Sequence, residues 1–374
     1  MHLKKFTNIS KSESRFFYLL RGGSAILVLL GHIYQLLIQP NFSNGILTHI
    51  IYSISGLAVI VFFYLSGLMI TLSIYRNTSN YDFKHFDLKK YSLDRLIRLY
   101  PPLIASSIIV MIVYSLSVIF NISIEKGVTG YLSREGFVID DGFYASFLFM
   151  QNILRNALHT PEMNGPLWSL SHEFWFYVLA ACITCVITRK GKIRLTALAI
   201  FVVFFVSMLL IGNTVMFFMG FGVWILGAFT AILRQNITIK NFISYRVMSV
   251  LFFVIYIYCE VSSSTKLTYY SKYVFAIAFF FYILGYIASH KQNPPNILSK
   301  SIEKSSAFSY TLYVIHWPIL MLIYGVLCEY LYADLSRTIM VSIASFIFIV
   351  FSSKVLSKYT ENKKLIVKLL PIID

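Results

Sequence analysis

Ten long apolar runs divide this chain, at roughly 17–38, 49–75, 103–121, 166–188, 193–211, 214–233, 247–261, 272–289, 308–328 and 336–357. A helix needs about 20 apolar residues to cross the roughly 30 Å hydrocarbon core of a bilayer, and all the runs but 247–261 come within a residue or two of that length. In lipid, a spanning segment must satisfy its own backbone polar groups, which a helix does. The runs therefore predict an all-α polytopic membrane protein with about ten transmembrane helices. Only 13% of the residues are charged and mean hydropathy is +0.72, about half the charged fraction of a soluble domain.

The net charge of +16 would point to nucleic acid in a soluble chain. Here its distribution explains it. If residues 1–16 are cytoplasmic, that side collects the N-terminal tail, the segment 76–102, the turn "RKGKIR" at 189–194, the connections 234–246 and 290–307, and the C-terminal tail 358–374. Together these hold 24 of the 32 Lys and Arg, so the positive-inside rule predicts both termini in the cytoplasm and no nucleic-acid partner.

The first run contains Arg21 and lacks a small-residue cleavage site, so it reads as a retained span rather than a signal peptide. With no internal repeat and no linker, 1–374 reads as one membrane domain. Its largest outer loop, 122–165, holds five acidic and three basic residues and an apolar stretch, 143–154, too short to span. Within 76–102, the stretch 83–100 has the pattern of an amphipathic interfacial helix that ends before Pro101-Pro102. Cys182 and Cys185, one helical turn apart in an apolar run, read as packing residues, and pairing of Cys259 with Cys328 is left open by the sequence.

An ionisable side chain in a span costs about 3 kcal/mol on insertion scales and usually faces a protein interior or a polar path. Arg21 and His32 are eleven residues apart, three helical turns and ~16 Å along one face. Ser24, Val28 and Gln35 share that face, and Gly22, Gly23 and Gly31 leave room for close approach. The fourth span opens with "GPLWSLSHEFWFY", which sets Ser169, His172, Glu173 and Phe176 at one helical spacing. The second carries Ser66-Gly67, and the ninth places His316 two residues before Pro318. Counting ~1.5 Å per residue from the run boundaries puts Glu173 level with His32, and Ser66 and His316 nearer the cytoplasm. The expectation is a His–Glu level in the outer half above a polar shaft that ends at Arg21, Arg95 and Arg98.

Such a shaft has a chemistry. A histidine works as a general base at neutral pH, and a neighbouring carboxylate orients its ring. Clustered arginines suit a phosphorylated ligand. No metal-ligand spacing stands out.

The residues also resemble the bacterial membrane-bound acyltransferase 3 family over most of the chain. The matching pieces are Arg21 with His32, "FFYLSGL" (62–68), "RLIRLYP" (95–101), "WSLSHE" (168–173) and "SYTLYVIHWP" (309–318). The resemblance implies a ten-helix core that moves an acyl group, usually acetyl from acetyl-CoA, onto exported carbohydrate such as O-antigen. It implies His32 as catalytic base with Glu173 orienting it or binding the acceptor. It also implies Arg21, Arg95 and Arg98 on the donor side; on the depth reading above, Ser66 and His316 are then expected to line the donor tunnel, and Trp168, Ser169 and His172 to bind the acceptor. The implied partners are acetyl-CoA, a carbohydrate acceptor and the bilayer of the cell inner membrane. Leu68 departs from the family's common Phe, and "YTENKK" (359–364) keeps Tyr359 and Glu361 without the usual proline. The hydrolase-like domain appended to some relatives is not seen, so this chain is expected to complete the transfer itself or to hand the acyl group to a separate partner. The rival reading is a transporter or flippase of a lipid-linked sugar, although the paired broken helices common in transporters are not evident.

Overall fold

The computed structural model describes residues 9–42, 44–79, 85–124, 136–154, 158–234, 236–262, 265–289, 297–332 and 334–369. Lys4, Lys5 and Lys84, the middle of the outer loop at 125–135, and the last five residues of the C-terminal tail lie outside them. Among the described residues there is no strand, and ten helices are long and apolar enough to cross a membrane.

Helix α1 (Lys11–Ile33) starts at a capping box: Ser10 Oγ accepts from the Glu13 N–H, and a Glu13 carboxylate oxygen accepts from the Ser10 N–H at 2.8 Å. It runs into a π-helical turn, Tyr34–Ile38. Helices α2 (Gly45–Ser79) and α3 (Leu88–Ile119) follow, then a short α4 (Asp141–Ser146), a 3-10 turn (Glu162–Leu167) and α5 (Trp168–Thr188). The remaining elements are α6 (Gly191–Ile211), α7 (Thr214–Leu233), α8 (Phe242–Val261), α9 (Thr265–Ser289), α10 (Ile297–Ser305), α11 (Ser309–Leu331), α12 (Leu335–Thr360) and α13 (Lys363–Leu369). The shortest apolar run, 247–261, becomes a full-length helix because "FISYR" joins it as a polar first turn.

One expectation is corrected. The segment 83–100 is not a separate interfacial helix, because α3 continues from Leu88 through Pro101-Pro102 to Ile119. Proline removes a backbone donor and usually breaks a helix. Here Tyr91, Ile97, Leu99, Pro102, Leu103 and Ser106 form a buried stripe on both sides of the prolines, and that packing carries the helix through.

Helices α2, α5 and α11 form the interior, with 61% of each spanning window buried, whereas α8 has 6% and α6 17% and face lipid. The outer stretch 143–154 is neither a span nor a solvated connector. Phe149 and Ile153 are buried in the main core, and Gln151 Nε2 donates to the Leu167 carbonyl at 3.0 Å. All four cysteines are free.

At the opposite end, which carries the basic connections, the two ends of the chain meet. Arg15 pairs with Glu303 at 3.5 Å, Arg21 with Glu361 at 3.8 Å, and Lys363 with Asp94.

Candidate active site

A cavity of about 270 Å³ opens among α1, α2, α3, α5 and α11. Arg21 from α1, Arg76 from α2, and Arg95 and Arg98 from α3 all line it, against one carboxylate, Glu173 of α5. Placing these groups in the bundle is expensive unless something anionic or polar shares the space. Glu173 Oε1 accepts from Ser66 Oγ at 3.2 Å and from the Tyr177 hydroxyl one turn along α5. The Arg95 guanidinium lies 5.5 Å from the Tyr91 ring and 5.7 Å from Tyr177, and reaches Ser73 Oγ at 3.4 Å. The Nε atoms of Arg95 and Arg98 are buried without a partner, so guanidinium donors remain unused.

Neither His32 nor His316 lines this cavity; Tyr313, one turn before His316 on α11, does. The His32 and His316 rings are nearly parallel, 5° apart, with centroids 4.9 Å apart, and His32 Nδ1 lies 2.6 Å from His316 Nε2, so the two meet edge to edge. Their tautomers follow from the next partner. A carbonyl oxygen can only accept, so His316 Nδ1 donates to Leu312 O at 3.0 Å. With both rings neutral, His316 Nε2 is then an acceptor and His32 Nδ1 its donor. That leaves the lone pair on His32 Nε2, the arrangement of a base held by an orienting partner. Tyr313, whose ring is 5.9 Å from His316, lines the cavity. Its hydroxyl donates to Pro166 O at 2.9 Å and lies 2.7 Å from Ser169 Oγ.

The structure thus brings six of the expected residues to one cavity: Arg21, Ser66, Arg95, Arg98, Ser169 and Glu173. It separates the others. The expected His32–Glu173 pair is not formed; His32 pairs with His316, and Glu173 with Ser66 and Tyr177. The reason lies in α10. A Cβ on Gly22 would stand 2.2 Å from the Ile302 carbonyl and 3.0 Å from the Ser306 nitrogen, so only glycine lets α10 press against α1 at this level. The segment that leads into α11 therefore lies beside Gly22. Ten residues up from Gly22 is His32, and ten up from Ser306 is His316.

His172 is also displaced from the expected face. It is fully buried, its Nδ1 donates to Trp168 O at 2.7 Å, and its ring packs among Trp168, Phe63, Phe176 and Phe217. Trp168 packs edge-on against Phe63 in the same aromatic layer. The helical face that reaches the cavity is Ser169, Glu173 and Tyr177, at i, i+4 and i+8.

The sequence reading missed Arg76, Tyr177 and Tyr310 as cavity residues. From sequence alone Arg76 is one more cation of the segment 76–102. Glu361 had been noted only as a motif remnant, yet it pairs with Arg21 and accepts from the Thr311 N–H at 2.9 Å and the Thr311 hydroxyl at 2.7 Å. Among the described residues no three His, Cys, Asp or Glu come together to hold a metal ion.

Comparison with known proteins bears on the family of the chain. The acyltransferase domain family matches over residues 15–357. A curated relative described as an O-acetyl transferase, from Shigella phage Sf6, is 28% identical over 194 residues, which cover 51% of this chain and 50% of that one. The chain thus spans about half the length of the curated relative it matches. No solved structure matches the chain.

Proposed function

Because this chain belongs to the acyltransferase 3 family, we propose that it is an O-acetyltransferase of the bacterial inner membrane. It takes acetyl from acetyl-CoA on the cytoplasmic side and places it on a hydroxyl of an exported or surface carbohydrate, an O-antigen or capsule-like polysaccharide. The observation that carries this reading is an arginine-lined cavity next to a histidine whose free nitrogen is set by a second histidine. The family match argues against the flippase alternative.

In this reading the donor's phosphates lie against Arg21, Arg76, Arg95 and Arg98, where guanidinium forks suit phosphate oxygens. The thioester arm reaches past Tyr313 toward His32, ~16 Å above Arg21 along α1. His32 Nε2 removes the proton from the acceptor hydroxyl as its oxygen attacks the thioester carbonyl. His316 holds the His32 ring in the required tautomer, the role first expected of Glu173. Glu173, fixed by Ser66 and Tyr177, balances the arginines and offsets their mutual repulsion.

The test compares surface polysaccharide from cells making the wild-type chain with that from cells making His32→Ala at equal membrane abundance. Proton NMR before and after mild alkali reports ester-linked acetyl. The expected result is an acetyl signal with wild type only. The same signal in both strains removes His32 from the chemistry, and none in either removes this class of acceptor.

A further inference from the structure

Two side chains beside His32 have no part in the chemistry described above. Gln35 is 3% exposed and its Nε2 has no hydrogen-bond partner; Trp317 is 3% exposed and its indole Nε1 has none. A buried donor without an acceptor costs roughly 1–3 kcal/mol, and native structures hold few of them. Trp317 borders the His32 imidazole, and Gln35 follows His32 along the same helix. The Trp317 ring stands edge-on to His32, with centroids 5.0 Å apart at 83°. Gln35 lies three residues beyond His32, which in a helix is the same face. It belongs to the π-helical turn Tyr34–Ile38, which packs against α11, the helix of His316 and Trp317. Single π turns are rare and gather at functional sites, where they re-aim side chains.

We propose that Gln35 Nε2 and Trp317 Nε1 form the oxyanion hole for acyl transfer at His32. This rests on the acyl-transfer reading above. When the acceptor oxygen bonds to the thioester carbon, its proton passes to His32 Nε2 and the carbonyl electron pair moves onto oxygen. The two N–H groups receive that charge. On collapse the C–O double bond re-forms, the C–S bond breaks, and the proton on His32 passes to the departing sulfur to give the free thiol and the ester. An amide and an indole suit the task, because both donate and neither can lose its proton to the intermediate. Donors that are already buried and unpaired need no reorganisation when the charge appears, which is the condition under which such groups act most strongly. An alternative in which Trp317 only packs against His32 leaves its N–H, and the orphaned Gln35 amide, without a purpose.

The experiment uses membrane vesicles carrying the full chain at equal abundance. They are supplied with radiolabelled acetyl-CoA, and label is read in the alkali-labile carbohydrate fraction. Gln35→Met keeps side-chain length and removes the amide, and Trp317→Phe keeps an aromatic ring, though a smaller one, and removes the indole N–H. Each is expected to lower kcat by about 10²–10³, the loss typical of one oxyanion donor, with KM for acetyl-CoA within about twofold of wild type. Gln35→Glu, still polar but opposing the new charge, is expected to lose at least as much as Gln35→Met. Restoration of activity by Glu would reveal a structural polar role and overturn the proposal. So would kcat within threefold of wild type in either donor-less variant, or a loss confined to KM. Equal labelling by wild type and His32→Ala would instead sink the His32 chemistry on which the oxyanion hole depends.

Discussion

Glu361 reaches Arg21 from the far end of the chain, and it lies just past α12, outside the spans. Burial raises its carboxyl pKa above the ordinary value, with Arg21 and Thr311 only partly opposing the shift. A carboxyl whose folded-state pKa is raised binds its proton more tightly in the folded protein. Its contribution to stability is therefore fully present below the unfolded value of about 4.3 and is lost as pH rises through the folded value. Glu361→Gln keeps an acceptor for Thr311 and removes the titration. Thermal midpoints of purified wild type should fall with rising pH across that window, and the slope should flatten in Glu361→Gln. Equal slopes would remove Glu361 from the titration. At this scale the sequence was informative where chemistry is out of place. An arginine or glutamate in an apolar run stands out, which is why Arg21, Arg98 and Glu173 were legible. Tyrosine does not, since the chain has 26 of them and their hydroxyls matter only once a partner such as Glu173 is known.

Helices α2 and α7 meet at backbone distance. A Cβ on Gly67 would lie 1.9 Å from the Trp224 carbonyl oxygen, and one on Gly227 1.9 Å from the Tyr64 carbonyl oxygen, so each glycine receives the other helix's backbone. The Tyr64 hydroxyl bonds Thr230 Oγ1 in the same seam. The seam holds up one wall of the cavity, since Ser66 lies beside Gly67. Backbone cannot swing aside as a side-chain tip can, so Gly67→Ala and Gly227→Ala should each destabilise by about 1–3 kcal/mol, as overpacking does. Gly222→Ala, on the exposed side of α7 with open space around it, should be neutral or slightly stabilising through helix propensity. Thermal melts of the three in one detergent decide the matter; if Gly67→Ala melts with Gly222→Ala, the close contact is not real. The ten spans could be read at this scale because hydropathy is local. The passage of α3 through Pro101-Pro102 could not, because what sustains it is burial against other helices.

For the whole molecule, the remaining expectation is orientation. The end where Arg21, Glu361, Asp94 and Lys363 meet also carries the basic turn 189–194. The positive-inside rule assigns that end to the cytoplasm, which is also where acetyl-CoA is available in the proposed reaction. In a chain with Cys182, Cys185, Cys259 and Cys328 replaced, Lys192→Cys should react with a membrane-impermeant maleimide only in inverted vesicles. Tyr144→Cys, at an exposed position of α4, should react only in spheroplasts. The reverse pattern would place the arginine cavity on the outside and require a donor there.

The amino-acid sequence alone determined the number of the spans and the placing of Arg21 and His32 on one helical face. Both follow from local quantities, hydropathy over about 20 residues and the 3.6-residue period. Tertiary structure decided which group meets His32. That choice depends on how deep α10 packs against Gly22 before α11 begins, a contact between segments some 280 residues apart. The same placement brings Trp317 against His32 and leaves the N–H groups of Trp317 and Gln35 buried without acceptors, because whether a donor is satisfied depends on everything packed around it.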